Sequence, residues 1–71
     1  MPKLYSSEAI RNVLQKIGFQ MISQKGSHGK FRNTIGRTVI LPMNKKEIPF
    51  GTFKSILRQA GIDLESFENH L

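Results

Sequence analysis

Two helical stripes of apolar residues, one near each end of the chain, limit what this sequence can fold into. Both stripes follow the i, i+3, i+4, i+7 spacing of an amphipathic helix. Their members are Ile10, Val13, Leu14 and Ile17 in the first, and Phe53, Ile56, Leu57 and Ala60 in the second. Each helix has one apolar side, so both helices have to pack on a shared partner.

The ends of these helices are marked by capping chemistry. Ser6 or Ser7 is the predicted N-cap of the first helix, and Gly18 ends it. Pro49 or Thr52 begins the second helix, which Gly61 closes. We also predict a short final helix over residues 63–69. Asp63 would cap it, and Leu64 and Phe67 would be its contact residues.

Three short strands are predicted between the two main helices, over residues 19–24, 28–33 and 38–41. Turn residues separate them, and Pro42 ends the third. Such short connections favour an antiparallel meander. In the first strand, Phe19 and Met21 are expected to share one face and Ile22 to lie on the other.

The element order α-β-β-β-α predicts a single α+β domain over residues 1–71. A three-stranded antiparallel sheet would carry both helices on one face, with a short C-terminal helix added, and would leave the other face open to solvent. This arrangement resembles the double-stranded-RNA-binding domain.

The charge distribution favours a polyanionic partner. The net charge is +6, from eleven Lys and Arg against five Asp and Glu. Between residues 25 and 58 only Glu47 opposes the basic residues, so we expect nucleic acid as the partner rather than a membrane. The chain has no cysteine, which removes disulfides and thiolate metal sites. Without a membrane-spanning run or a signal peptide, we expect a cytoplasmic protein.

A histidine between two glycines is the candidate catalytic feature. In the segment 26–32 (GSHGKFR), His28, Lys30 and Arg32 recur at period two, so their side chains leave the same strand face. Phe31 points the other way and can anchor the core. An imidazole changes protonation near neutral pH, and neighbouring cations suit phosphodiester cleavage. Lys25, just before the turn, adds to this basic group.

Two other mechanisms fit the sequence poorly. Two-metal nucleases need several converging carboxylates, and Glu47 is the only acid between residues 9 and 62. We therefore expect no metal and no cofactor. Ser27 and His28 are neighbours, so in an extended chain they point to opposite faces and form no dyad.

Several segments together resemble the HicA family, the mRNA-cleaving toxins of bacterial type II toxin–antitoxin pairs. They are the helix end Ile17-Gly18-Phe19, the Lys25-Gly26-Ser27-His28 motif followed by Lys30-Phe31-Arg32, the strand end Leu41-Pro42, and the closing helix over residues 51–61 (GTFKSILRQAG). The resemblance covers roughly residues 6 to 62. The sequence departs from it at Gly29, where relatives often have a bulkier residue, and we expect this glycine to loosen the strand.

The resemblance implies a fold like the double-stranded-RNA-binding domain and metal-independent endoribonuclease activity with His28 as the essential histidine. It also implies a HicB-type antitoxin that binds the toxin and blocks its active site. The sequence leaves the oligomeric state open between a homodimer and a toxin–antitoxin hetero-oligomer. For RNA phosphate binding, the candidates are Lys25, Lys30, Arg32, Lys54 and Arg58.

Alternatives remain for each candidate. Lys30 and Arg32 could form an ordinary solvated strand face. Lys54 and Arg58 form a like-charge i, i+4 pair on the second helix, which the helix dipole partly offsets. The whole chain could also be a non-catalytic RNA-binding module, or a partner-binding subunit with no chemistry of its own. Replacement of His28 by alanine separates catalysis from binding.

Overall fold

The computed structural model describes residues 3–71 and has the predicted order of elements. The three strands form one antiparallel sheet in the order β1-β2-β3. An open sheet with helices before and after it is compatible with the α+β, double-stranded-RNA-binding-domain-like fold, so the predicted fold class is confirmed. The elements are α1 Ser7–Lys16, β1 Gln20–Lys25, β2 His28–Arg32, β3 Thr38–Pro42, α2 Phe50–Ala60 and α3 Leu64–Asn69.

Side-chain caps fix the starts of α1 and α3, as the sequence predicts. The Ser6 hydroxyl accepts a hydrogen bond from the Ala9 amide at 3.0 Å. In the same way, the Asp63 carboxylate accepts from the Ser66 amide at 2.8 Å. Such caps satisfy backbone donors that have no partner within the helix. Within residues 3–71, no helix has the length and apolar content needed to cross a membrane.

The core lies between the helices and the inner face of β2 and β3. In β2, Gly29 and Phe31 are buried while their neighbours are less so, and in β3 Val39 and Leu41 are buried in the same alternating way. Period-two burial is the expected pattern for a sheet with one covered face. From the helices, the buried core residues are Ile10, Val13, Leu14, Phe53, Ile56, Leu57, Ala60 and Phe67.

The β1 edge of the sheet is less covered than predicted. All six residues of β1 are exposed. The register with β2 shifts between Met21 and Ser23, which makes Ile22 the extra residue of a bulge. Phe19 is buried, and Met21, although 38% exposed, pairs with the buried Phe31 and lies against Gly29 on the covered face. Ile22 lines a cavity with Arg32 on the open face, so the predicted faces of Phe19, Met21 and Ile22 are confirmed, and the alternation breaks only after the bulge.

The opposite edge, β3, is protected by α2. The Ile40 amide points away from β2 and donates to the Gln59 side-chain oxygen at 2.8 Å. The Gln59 amide group in turn donates to the Ser55 hydroxyl at 3.2 Å. One side of α2 therefore covers an edge amide that would otherwise be open to pairing with another chain.

The short helix α3 is held by an aromatic cluster. The centroid of the Phe67 ring lies 5.0 Å from the centroid of the Tyr5 ring and 4.9 Å from that of the Phe53 ring, and both pairs have edge-on geometry. The prediction that Leu64 also contacts the core is wrong, because its side chain is 42% exposed. Leu64 and Phe67 are three residues apart, so their side chains point about 60° apart around the helix. Only Phe67 points into the aromatic cluster.

Candidate active site

His28 is the first residue of β2, directly after the hairpin turn. Gly26 has a φ of 55°, which favours glycine at this tight position. The turn is tied to the far strand because the Met43 amide donates to the Ser27 carbonyl oxygen at 2.6 Å. His28 itself is exposed. The histidine backbone is thus fixed from both sides, while the imidazole is open to solvent.

The open face of the sheet is built from rows of residues that lie opposite one another across the three strands. Directly paired residues on neighbouring strands leave the same face. The first row contains His28, and the next two contain Lys30 and Arg32, which confirms the predicted face for all three. The rows are Lys25, His28 and Pro42; Ser23, Lys30 and Ile40; and Gln20, Arg32 and Thr38.

Three of the predicted site residues share one shallow depression on this face. Lys25, His28 and Lys30 line a cavity of about 260 Å³. Ser23 and Ile40 complete its lining, together with the backbone at Gly29. We name this cavity the sheet-face depression. It combines a titratable ring, two cations and an apolar patch, which is a suitable set for a nucleotide with its phosphate.

Ser23 and Ile40 were missed by the sequence predictions. For Ile40 the signal was present, because Val39 and Leu41 alternate with it and a buried pair at period two puts the residue between them on the open face. For Ser23 no such signal exists. It lies opposite Lys30 only because the bulge at Ile22 shifts the register of β1.

Arg32 lies on the same face but outside this depression. Its Nε donates to the Thr38 hydroxyl at 3.3 Å, across the strand pair. It lines a neighbouring cavity of about 240 Å³ with Gln20 and Ile22 among its other walls. Arg32 therefore lies on the same face as His28 but borders a separate cavity.

Lys54 and Arg58 are not brought together with His28. Both lie on the side of α2 that faces α3, whereas Ser55 and Gln59 on the other side of the helix are bonded to each other and to β3. They line a cavity of about 310 Å³ with apolar walls, which we name the α2–α3 groove. The structure thus divides the five predicted phosphate-binding residues between two surfaces.

Gly29 has a packing reason to be glycine. A Cβ placed there would lie 3.1 Å from Met43 Sδ and 3.2 Å from Met21 Cε. Gly29 is paired on both sides, with Gln24 and with Leu41, and the register is unbroken at this point. Two methionine side chains therefore occupy the space under the His28 strand that a larger side chain at position 29 would enter.

A further basic cavity, of about 330 Å³, lies between the start of α1 and the loop after β3. Lys45 and Lys46 line it, and so does Arg11, whose Nε is buried without a hydrogen-bond partner. Arg11 has no signal in the sequence beyond its charge. The cavity is next to the hairpin turn, since Met43 lines it and bonds to the Ser27 carbonyl.

The other histidine has a structural environment. His70 Nδ1 lies 2.8 Å from the Ser66 carbonyl oxygen, and the His70 carbonyl accepts from Lys16 Nζ at 3.0 Å. Among residues 3–71, no three His, Cys, Asp or Glu side chains are grouped closely enough to hold a metal ion. Because the chain has two histidines and His70 lies at the end of α3, His28 is the one imidazole on the open face.

Comparison with known families agrees with this arrangement. The model of the family described as "HicA toxin of bacterial toxin-antitoxin" matches residues 7–62, which is most of the chain and includes the whole sheet face. A search among curated proteins gives no match. The helix α3 lies outside the matched segment. The chain therefore belongs to the HicA toxin family, whose members act in pairs with an antitoxin.

Proposed function

We propose that this toxin is a metal-independent endoribonuclease that cleaves mRNA at the sheet-face depression. The observation that carries the proposal is the exposure of His28 in the same cavity as Lys25 and Lys30. An imidazole and two cations on one open surface supply the groups that cleavage of RNA without a metal requires. The cytoplasm, where mRNA is translated, is its proposed place of action.

The proposed reaction uses the RNA's own 2′-hydroxyl as the nucleophile. The 2′-oxygen forms a bond to the adjacent phosphorus, the bond from phosphorus to the 5′-oxygen breaks, and the products are a cyclic phosphate and a free 5′-hydroxyl. One proton leaves the 2′-oxygen and one is delivered to the 5′-oxygen. His28 carries one of these transfers as general base or acid, which typically contributes about 10²–10⁴-fold to the rate.

The cations are proposed to hold the phosphate on which charge accumulates. Lys25 and Lys30 flank His28 and can donate charge-assisted hydrogen bonds to the phosphate oxygens. Arg32, which lines the neighbouring cavity, is proposed to contact the next phosphate of the RNA. Lys54 and Arg58 would contact RNA only if the substrate continued around the domain to α2, so their predicted RNA contact remains a prediction.

The partner that restrains this activity is proposed to be a HicB-type antitoxin that covers the sheet-face depression, in a toxin–antitoxin hetero-oligomer. The open face has no cover within residues 3–71, and Ile40 on it is 41% exposed. A protein that buries this face would exclude RNA from His28. The antitoxin would then inhibit cleavage by competing with RNA for the sheet-face depression.

The test is a pair of single replacements at the two histidines. His28→Ala should lower cleavage of a model mRNA by about 10²–10⁴-fold. Folding should be retained because the side chain is exposed, and RNA affinity should be retained because Lys25 and Lys30 remain to bind the phosphate. His70→Ala, which alters the histidine near the C-terminus, should leave cleavage unchanged. Cleavage ends are mapped by primer extension, and affinity is measured by fluorescence anisotropy.

Three results would contradict the proposal. Unchanged cleavage by the His28→Ala protein would remove His28 from the mechanism, and RNA binding without any cleavage by the wild type would favour a non-catalytic RNA-binding module. Loss of wild-type cleavage on addition of a chelator would contradict the metal-free chemistry.

A further inference from the structure

The α2–α3 groove is an apolar cavity that the proposed RNA chemistry does not use. Its floor contains the buried Phe53 and Leu57, and its rim contains side chains that are only partly covered. Leu64, on one wall, is 42% exposed. Phe50 and Ile62 are half-buried. An open cavity with such walls is typical of a site that receives an apolar side chain.

The charged residues of the groove all have the same sign. Lys54 and Arg58 are exposed on its rim, and no acidic residue is among its lining. Lys54 Nζ lies 5.7 Å from the centre of the Phe50 ring, so the cation is held over the apolar wall. The surface that complements this groove is therefore apolar in the middle and acidic at its edges.

One wall of the groove comes from outside the family domain. The matched segment ends at residue 62, and Leu64 belongs to α3, which follows it. Helix α3 is attached by Phe67, which packs against Tyr5 and Phe53. This attachment leaves Leu64 free to form the wall. The groove is thus made by adding a helix to the shared domain.

We propose that the α2–α3 groove docks an acidic amphipathic segment of the antitoxin. An apolar side chain of that segment enters between Phe50 and Leu64, and its carboxylates pair with Lys54 and Arg58. The two cations could pair with phosphates as well as carboxylates, but the rest of the lining is apolar and offers a base no polar partner. The apolar walls instead complement an apolar side chain, which favours a protein segment over RNA. The proposal rests on the antitoxin partnership of the family and is independent of the cleavage chemistry.

The charged half of the proposal is tested by matched charge reversals. The affinity of the purified cognate antitoxin is measured by calorimetry for Lys54→Glu/Arg58→Glu and for the control Lys45→Glu/Lys46→Glu. Both pairs consist of exposed side chains, and both change the net charge equally. The groove pair should weaken antitoxin binding by about ten-fold or more relative to the control.

The apolar half is tested at two exposed hydrophobic residues. Leu64→Ser should weaken antitoxin binding about ten-fold, because it removes the exposed apolar side chain that α3 adds to the groove. Ile35→Ser is the control, since Ile35 is 80% exposed in the turn between β2 and β3 and lies outside the groove. Thermal unfolding of each variant shows that the fold is intact. For the charged residues, Lys54→Gln/Arg58→Gln removes both positive charges without reversing them and should lower antitoxin affinity less than Lys54→Glu/Arg58→Glu does.

Three outcomes would overturn the proposal. Antitoxin affinity could be unchanged in the groove variants, or it could fall equally in the groove variants and their controls, which would indicate general electrostatics. Lower RNA affinity and slower cleavage in Lys54→Glu/Arg58→Glu, with antitoxin binding intact, would assign the groove cations to RNA. Because binding is measured directly, each result stands whether or not the toxin is a nuclease.

Discussion

The sheet-face depression and the α2–α3 groove are both basic, yet the chemistry around their cations differs. On the sheet face, Lys25 and Lys30 flank an exposed imidazole. In the groove, Lys54 and Arg58 border apolar walls built on Phe53. A count of positive charges alone would assign both surfaces to nucleic acid. The residues between the charges distinguish a surface that can do proton chemistry from one that can receive a hydrophobic side chain.

The difference follows from how strands and helices present their residues. Alternation along β2 sends the polar His28, Lys30 and Arg32 to one side and keeps apolar atoms beneath the sheet. The side chains of a helix point in all directions around its axis, so polar and apolar residues adjoin at the border of the apolar stripe. Lys54 and Arg58 lie at this border on α2. The addition of α3 then extends that apolar edge into a groove.

The largest expected difference is in stability. Phe53 is 1% exposed beneath the groove, and Phe53→Ala should cost about 3–5 kcal/mol of unfolding free energy. His28→Ala on the open face should change it by no more than about 0.5 kcal/mol. Urea unfolding followed by circular dichroism measures both. A small effect at Phe53 would mean that the groove has no fixed floor.

The salt dependence of RNA binding distinguishes which cations contact phosphates. Contacts from Lys25, Lys30 and Arg32 alone predict a slope of about −2 for log affinity against log salt, whereas five contacts would give about −3.5. Affinity is measured with the His28→Ala protein, so that the RNA stays intact. Lys30→Gln should make the slope less steep by about 0.7.

The matched control for that slope is Lys54→Gln, which removes one exposed cation from the other surface. It should leave the slope unchanged. A decrease equal to that of Lys30→Gln would erase the distinction between the two surfaces and support RNA contact at α2.

The smallest expected effect concerns the aromatic cluster that holds α3. Burial raises the pKa of the Tyr5 phenol above its ordinary 10.0, and the negative charge of Glu68 raises this pKa further. The unfolded chain therefore loses the phenol proton at lower pH than the folded protein does. The contribution to stability is present below about pH 10 and is lost as the pH rises through the folded-state pKa.

Tyr5→Phe should remove this part of the alkaline loss of stability. Unfolding free energies of both proteins are compared from about pH 8 to about pH 11, and ultraviolet titration reports the phenol directly, because Tyr5 is the only tyrosine. An identical alkaline decline in the two proteins would contradict a raised pKa at Tyr5.

Periodicity was sufficient for most of the fold. The stripe that contains Phe53 is buried, and so is the stripe that contains Ile10 apart from the half-buried Ile17. The two-residue alternation around Phe31 and Val39 predicts the inner face of the sheet correctly. Those patterns are local, and every helix or strand has to obey them. Local pattern did not predict the bulge at Ile22, which shifts the register of β1, nor the exposure of Leu64, whose position depends on how Phe67 packs.

The candidate site was predictable in part for the same reason. His28, Lys30 and Arg32 are on one strand, so their common face follows from the sequence. Lys25 follows from the hairpin that joins β1 to β2. Ser23 depends on a register shift, and Arg11 depends on a loop folding back over α1, neither of which local spacing encodes.

The amino-acid sequence by itself determined the order of the elements, the inner face of β2 and β3, and the common open face of His28, Lys30 and Arg32. These features depend only on repeats of 2 and 3.6 residues and on caps and turns a few residues long. Tertiary structure alone decided that Lys54 and Arg58 lie apart from His28 and that α3 leaves a groove beside them. The physical reason is that residues distant in the chain share a surface only through the packing of whole elements, and no local spacing records that packing.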